Sequence, residues 1–548
     1  MEREPMTWCE PEPTYPLVLL VEVERNATET RSQLQALVDE VLIEDARGEP
    51  WVVRRFFEAA EGPEATDGFY EIRGRIPVSP SYPIRALGFE LAAALTAKMT
   101  GELAGSATPD FPTTAFGAEE VEELPEAALK ALDAEPAWPL QVMRCPQAWQ
   151  LPPRPGGAQR GLGIVIGHPD TGYTYHQELL ASLDLDRDYD VISSDTDAED
   201  PMKDRWWWPF DNPGHGTSTG SVITSPEAGS ITGAAPDATL TPFRAIQSVV
   251  QVSDGDVARA IDRAVTAGAH VISMSLGGVG FYAGIRAAAQ RARAAGIIVM
   301  AAAGNRVGIV VAPARFQECI AVAATDKDNQ PWSGSSRGDA VLISAPGHQV
   351  PVAKADKDTS PADPGTRTVS SSGTSYAVAH LAGVAALWLG HHGRSALIDE
   401  FGPEGVQGAF EQVLTTVGFQ RPPGWDEDDW GVGIVDAIKV LAAELPAPAA
   451  IARDAAAVRA EDQPPAERLA ALGLVDAEDA TAQLCGLLDC DEDEVNELTR
   501  IHGPELAYLY AEGELPAAVD IAAGARRARP LDPGALSPTL RERLDGRG

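Results

Sequence analysis

Between residues 161 and 305 the chain alternates short, nearly unbroken apolar runs with stretches whose apolar residues recur every three or four positions. No other feature narrows the fold as much. GLGIVIGH (161–168) reads as a buried strand. Val257, Ile261, Ala264, Val265 and Gly268 then recur at helical spacing, and AHVISMSLGG (269–278) reads as the next strand. GIRAAAQRARAAG (284–296) reads as a second helix and IIVMAAAGN (297–305) as a further strand. Strand, helix, strand in repetition requires right-handed crossovers and a parallel sheet covered on both faces, an α/β fold. Sites in such sheets gather at the carboxyl ends of strands, where Asp170, the SLGG segment and Asn305 all fall.

Three segments add chemistry to that frame: Asp170 in GHPDTGY, His215 in NPGHGTSTG and Ser375 in SSSGTSYAVAHLAG. A serine hydroxyl is a poor nucleophile near neutral pH unless an imidazole takes its proton. The imidazole in turn needs a carboxylate to fix its tautomer and stabilise its charged form. The order Asp, His, Ser is that of subtilisin.

On these residues, the stretch 138–445 resembles the subtilisin-like serine proteases (subtilases, peptidase family S8). Asp170-Thr171-Gly172 with His176-Gln177-Glu178-Leu179, and Gly214-His215-Gly216-Thr217, are similar to the family's acid and base motifs. Gly373, Thr374, Ser375, Ala377 and His380 match its nucleophile motif, with Ala379 where proline is usual. Ser275-Leu276-Gly277-Gly278 resembles the edge that pairs with an extended substrate, and Ala303-Gly304-Asn305 the segment that carries the oxyanion-hole asparagine. The segments 312–326, 343–347 and 430–437 resemble later parts of the family pattern.

The resemblance implies a three-layer α/β core and a serine endopeptidase. Asp170, His215 and Ser375 would form its triad, Asn305 would stabilise the oxyanion, and Ser275, Leu276, Gly277 and Gly278 would bind a protein or peptide substrate. Read alone, Asn305 is also a plausible turn residue, and the SLGG edge a glycine-capped strand end. His168, His176 and His380 read as structural, because a triad needs one histidine. The apolar segments around the first specificity pocket suggest an uncharged side chain there. Trp206-Trp207-Trp208 reads as packing or an interface, with a substrate subsite as the other reading.

The resemblance requires no cofactor, although subtilases often bind calcium. Asp184, Asp186, Asp188, Asp190, Asp195, Asp197 and Asp200 offer either a calcium site or a solvated acidic loop. The run Asp489-x-Asp491-x-Asp493 is no EF-hand, because Glu494 and Arg500 stand where that loop needs Gly and Glu. A net charge of −38 disfavours nucleic acid and anionic membranes as partners. The five cysteines are scattered and odd in number, which fits a reducing compartment. The N-terminal MEREPMTWCEPEP carries acids where a secretory signal needs bases, and no apolar run is long enough for a membrane span. The expected location is therefore intracellular, in the cytoplasm.

At 548 residues the chain needs more than one domain. Composition places an acidic linker at 113–137 and a Pro/Ala-rich linker at 446–465. Residues 1–112 read as a small α+β unit of ferredoxin-like order, similar in size and position to a subtilase prodomain. It is either a lid that keeps the protease latent or a docking domain. Residues 466–548 read as a helical bundle, either binding a partner or packing on the core. The competing functional class is an occluded subtilase-fold protein that works as a binding or adaptor module through its flanks.

Overall fold

The computed structural model describes residues 14–23, 30–42, 49–57, 68–77, 84–111, 113–114, 137–202, 212–227, 229–249, 251–278, 282–306, 309–449, 451, 491–511, 537–538 and 540. By contact the chain divides in two: Met1–Phe111 with Pro464–Ala470 and Leu474–Gly548, and Pro112–Gln463 with Ala471–Gly473.

The smaller unit begins with β1 (Thr14–Val23), α1 (Thr30–Val41), β2 (Val52–Arg55), β3 (Phe69–Pro77), α2 (Ile84–Lys98) and β4 (Gly105–Pro109). Its sheet is antiparallel in the order β2-β3-β1-β4, the ferredoxin-like arrangement. Leu17, Leu19, Val21 and Val23 of β1, two residues apart, join Leu34 and Val38 of α1 and Phe89, Ala92 and Leu95 of α2 in one core. Period two on the strand and near four on the helices give each element one apolar face.

The larger unit holds a nine-stranded sheet. Its strands and covering helices, in chain order, are β5 (Thr113–Thr114), β6 (Val165–Asp170), β7 (Tyr189–Asp190), α3 (His215–Thr224), β8 (Thr239–Arg244), β9 (Gln251–Val252), α4 (Asp254–Thr266), β10 (Val271–Met274), α5 (Ala283–Ala294), β11 (Ile298–Ala302), β12 (Ile320–Thr325), β13 (Val341–Pro346), β14 (Val350–Ala353), β15 (Thr368–Ser371), α6 (Thr374–His392), β16 (Phe419–Gln420) and β17 (Ile434–Val435). The sheet order is β16-β17-β13-β12-β11-β10-β6-β8-β7, parallel throughout except that β16 runs antiparallel to β17 at one edge. Strands β10, β11 and β12 are buried at every residue, as a sheet covered on both faces demands.

Local chemistry sets the helix ends. Ser253 caps α4, its hydroxyl accepting the Asp256 N–H at 3.2 Å, and Val257, Ile261 and Ala264 face the core. Gly268, expected as the last member of that stripe, instead lies past the helix end with φ +76° and turns the chain into β10. Helix α6 is buried along its whole length and passes through the middle of the core. Its small residues allow close approach: a Cβ on Gly383 would stand 2.4 Å from the Ala234 Cβ.

Two expected boundaries differ from the structure. The linker at 113–137 opens with β5, which pairs antiparallel with β9, Thr113 opposite Val252 and Thr114 opposite Gln251. Residues 115–136 lie outside the described residues. At the other end, α7 (Glu492–Ala511) packs against α2 and β4, so the C-terminal segment shares a unit with the N-terminal one. Arg500 Nη1 donates to the Thr96 carbonyl at 3.2 Å, and the buried Glu505 carboxylate accepts the backbone N–H and the hydroxyl of Ser537, both at 2.6 Å. Among the described residues, no helix is long and apolar enough to cross a membrane.

Candidate active site

Asp170 ends β6, the strand between β10 and β8, and its side chain is fully buried. Facing it, α3 opens at His215. The entry to α3 is fixed by Gly214, whose φ is +79° and where a Cβ would lie 2.2 Å from the Ala355 Cβ, so no other residue fits. Asp200 fastens that turn, accepting the Gly214 N–H at 2.6 Å on one oxygen and the Met202 N–H at 2.8 Å on the other.

His215 Nδ1 lies 2.7 Å from Asp170 Oδ1, which also accepts the Thr171 N–H at 2.7 Å. Burial alone would raise the Asp170 pKa. The charge and hydrogen bond of His215, the nearby His168 and the Thr171 N–H outweigh it and hold the carboxyl below its ordinary value. A carboxylate on Nδ1 sets the ring orientation and leaves Nε2 to handle a proton.

Ser375 is the second residue of α6 and is buried. Its backbone N–H belongs to the first helical turn, where the helix supplies no acceptor. Ser275 Oγ donates to the Ser375 carbonyl at 3.0 Å, which ties the end of β10 to the start of α6. Asn305 follows Gly304, which takes φ +111° and donates its N–H to Thr374 Oγ1 at 3.1 Å. The Asn305 side-chain oxygen accepts both the N–H and the hydroxyl of Thr374 at 2.9 Å. With its oxygen committed to Thr374, the amide nitrogen is the end left to act as a donor.

The SLGG segment is tied to the chain on either side of it. Gly277 donates to the Val249 carbonyl at 3.2 Å, and a Cβ on it would stand 2.6 Å from Val311 Cγ2. Gly278 exchanges both backbone hydrogen bonds with Ala312, each at 2.9 Å. Gly278 is therefore spent on that pairing, and Leu276 is buried. Three residues after Val249, the edge of β9 is paired with β5.

Of the histidines read as structural, His176 and His380 have local backbone partners. His176 Nε2 lies 3.0 Å from the Arg367 carbonyl and His380 Nδ1 2.8 Å from the Pro346 carbonyl. His168 is different: it sits two residues before Asp170 on the same face of β6, against Thr219 of α3. The Trp206–Trp208 run lies outside the described residues.

The acidic loop spends its oxygens internally. Asp184 accepts from Arg187 Nε at 2.6 Å, Asp188 from the Ala198 N–H at 2.7 Å and Asp190 from Arg244 at 2.5 Å. Among the described residues, no three acidic, histidine or cysteine side chains converge to hold a metal ion, so this arrangement does not fit calcium.

Sequence reading named Thr374 only as a member of the nucleophile motif and Asp200 only as a member of the acidic cluster, and it missed Thr219. Thr219 follows His215 by four residues, a helical spacing, but which strand residues it meets depends on how α3 lies on β6.

Comparison with known proteins places this geometry. A family model described as the subtilase family matches residues 161–416. Thermitase of Thermoactinomyces vulgaris is 33% identical over 261 residues, covering 47% of this chain and 82% of thermitase. A thermostable alkaline protease of Halalkalibacterium halodurans is 38% identical over 180 residues, which span 32% of this chain and less than half, 47%, of that protein. Subtilisin Savinase of Lederbergia lenta is 29% identical over 238 residues, covering 42% of this chain and 80% of Savinase. Among solved structures, a protease of Pseudoalteromonas arctica PAMC 21717 aligns with a TM-score of 0.46 and 25% identity over 55% of this chain and 93% of that one. Because the match takes in the parallel core and most of thermitase's length, the chain that carries Asp170, His215 and Ser375 in this order belongs to the subtilase family.

Proposed function

We propose that the protein is a serine endopeptidase whose triad is Asp170, His215 and Ser375. The observation that carries this reading is the buried 2.7 Å bond from Asp170 to His215 Nδ1, in a chain that also sets Ser375 in the first turn of a helix and commits the Asn305 side-chain oxygen to Thr374. Ser375 Oγ attacks the peptide carbonyl carbon as its proton passes to His215 Nε2. The same proton then goes to the leaving amine, and water repeats the sequence to release the acid. The Asn305 amide and the Ser375 N–H bind the negative oxygen of the tetrahedral intermediate. Substrate lies extended along the Ser275–Gly277 edge, held by main-chain hydrogen bonds, with an uncharged residue before the scissile bond.

Activity is held latent by the N-terminal unit. The pairing of β5 with β9 supports this: the chain leaving that unit already occupies, as an added strand, an edge close to the SLGG segment. The acidic loop needs no metal for the chemistry above.

A fluorophosphonate probe tests the reading. Wild type is labelled once the chain is cut within 115–136 and again within 452–463 and the smaller unit removed, and Ser375→Ala is not. Absence of labelling in the freed wild type would leave the occluded, binding-module reading in its place. Equal peptide hydrolysis before and after removal of the smaller unit would make residues 1–112 a docking domain.

A further inference from the structure

His168 is buried, chemically versatile and unused by the mechanism above. Its position follows from two periodicities. His168 and Asp170 are two residues apart on β6 and face the same side, while His215 and Thr219 are four apart on α3 and share a face. The two pairs meet as a square. Asp170 Oδ1 is 2.7 Å from His215 Nδ1, and His168 Nε2 is 3.1 Å from Thr219 Oγ1. Across the square, Thr219 Oγ1 lies 3.4 Å from Asp170 Oδ2, and His168 Nε2 lies 3.7 Å from that same oxygen.

A threonine hydroxyl has one proton to give. Thr219 is within reach of four acceptors: His168 Nε2, Asp170 Oδ2, and the carbonyls of His215 at 3.1 Å and Gly216 at 3.4 Å. If His168 carries its proton on Nε2, it donates to Thr219 Oγ1 and the hydroxyl proton is released toward the carboxylate. If Nε2 is bare, it takes that proton itself and Asp170 Oδ2 loses the donor. We propose that His168 is a positioning residue of the triad: with its proton on Nε2 it donates to Thr219 Oγ1 and keeps the hydroxyl proton on the second oxygen of Asp170, which without His168 would turn to the nearer His215 carbonyl.

The inference rests on the triad reading above. The groups acting on His168 are its buried surroundings, Asp170 on its own strand and His215 on α3; the nearest cation of β8, Arg244, is turned to Asp190. Burial is the largest of these and keeps His168 neutral further into acid than an ordinary histidine. The proton on offer to Thr219 is therefore a tautomer choice rather than a net charge. A carboxylate that accepts an extra donor binds the imidazolium less tightly. Removing the donor moves the acid limb of kcat/KM to higher pH.

The test uses the chain cut on both sides of the larger unit and freed of the smaller one, with His168→Val, Thr219→Val, the double variant and His168→Gln, which keeps an N–H. The valine variants are expected to raise the acid limb of kcat/KM by roughly half a pH unit with KM unchanged, about half the differential effect of one hydrogen bond. The double variant matches either single one, and His168→Gln restores most of the shift. Unchanged pH profiles, or shifts that add, would overturn the proposal. A second readout does not need turnover. In the intact Ser375→Ala chain, the downfield proton resonance of His215 Nδ1–H is expected to move with both valine changes, and a fixed resonance in folded variants sinks the proposal even if the peptidase reading fails.

Discussion

The two units solve the burial problem in opposite ways. In the smaller one, strands alternate: in β2 only Val53 is buried, while Val52, Arg54 and Arg55 face out. In the larger one, β10 is buried at all four residues and α6 at all nineteen. A one-sided sheet tolerates change on its open face. A sheet covered on both faces, with a helix through its middle, holds a reacting group still but leaves little slack. The contrast extends to titration. Of the nine histidines in the chain, eight fall between residues 168 and 392, and His502 is the one that belongs to the smaller unit.

Four experiments probe that contrast. The largest effect is chemical and confined to the larger unit. Ser375→Ala and His215→Ala should each lower kcat by about 10⁴- to 10⁶-fold, with the double variant scarcely worse, because the triad acts as a unit. Intact circular dichroism with additive losses would break the idea of a shared mechanism. Next comes Asn305→Ala. Peptide hydrolysis should fall about 10²- to 10³-fold, mostly in kcat, as expected for one lost oxyanion donor. A change confined to KM would return Asn305 to a turn residue.

The third experiment lowers the pH. Burial depresses His380 to about 4, His270 to about 4 and His392 to about 3. Each binds a proton more readily when unfolded. Their stabilisation is therefore complete above the unfolded value near 6.5 and is lost as pH falls from there toward 4. For the fully buried His380 alone this amounts to about 3 kcal/mol. In the Ser375→Ala chain, calorimetry at pH 5 should show the larger unit's transition moving down more than the smaller unit's. Equal movement would erase the contrast. The smallest effects compare packing. Gly383→Val should cost about 1–3 kcal/mol through overpacking against Ala234, and Val52→Thr on the open face should stay within about 0.5 kcal/mol. Equal costs in thermal melts would show that both units are packed alike.

What the sequence disclosed follows from the range of the interactions. Strands β6, β10 and β11 were legible as the short apolar runs 161–168, 269–278 and 297–305; the strands themselves end at Asp170, Met274 and Ala302, and the site residues sit at or just past those ends. The β-α-β-β-α-β order of the N-terminal unit was legible for the same local reason. Contacts set by register were not. Nothing in GHPDTGY or NPGHGTSTG says that His168 meets Thr219, because that depends on how a helix lies on a strand. The role of Thr374 is hidden likewise, since its partner Asn305 is 69 residues away. A helical bundle read over 466–548 indicates apolar faces to be covered but neither that one helix runs through Pro504 nor that α2 and β4 cover it.

That last packing changes what a single cut can achieve. Because the smaller unit contains both Met1–Phe111 and most of the chain after Pro464, the larger unit is an insertion inside a discontinuous one. Both of its ends lead back to the same clasp. Severing the chain between 115 and 136 opens one arm of that clasp, and the fragment before the cut is still gripped by α7, which remains joined to the protease through the peptide chain. Release then becomes a reversible, first-order opening with rapid recapture, governed by local concentration rather than by how much protein is in solution. If the smaller unit is the lid proposed above, permanent liberation requires a second cut, between 452 and 463, and the number of broken bonds separates a protease that can be closed again from one that cannot.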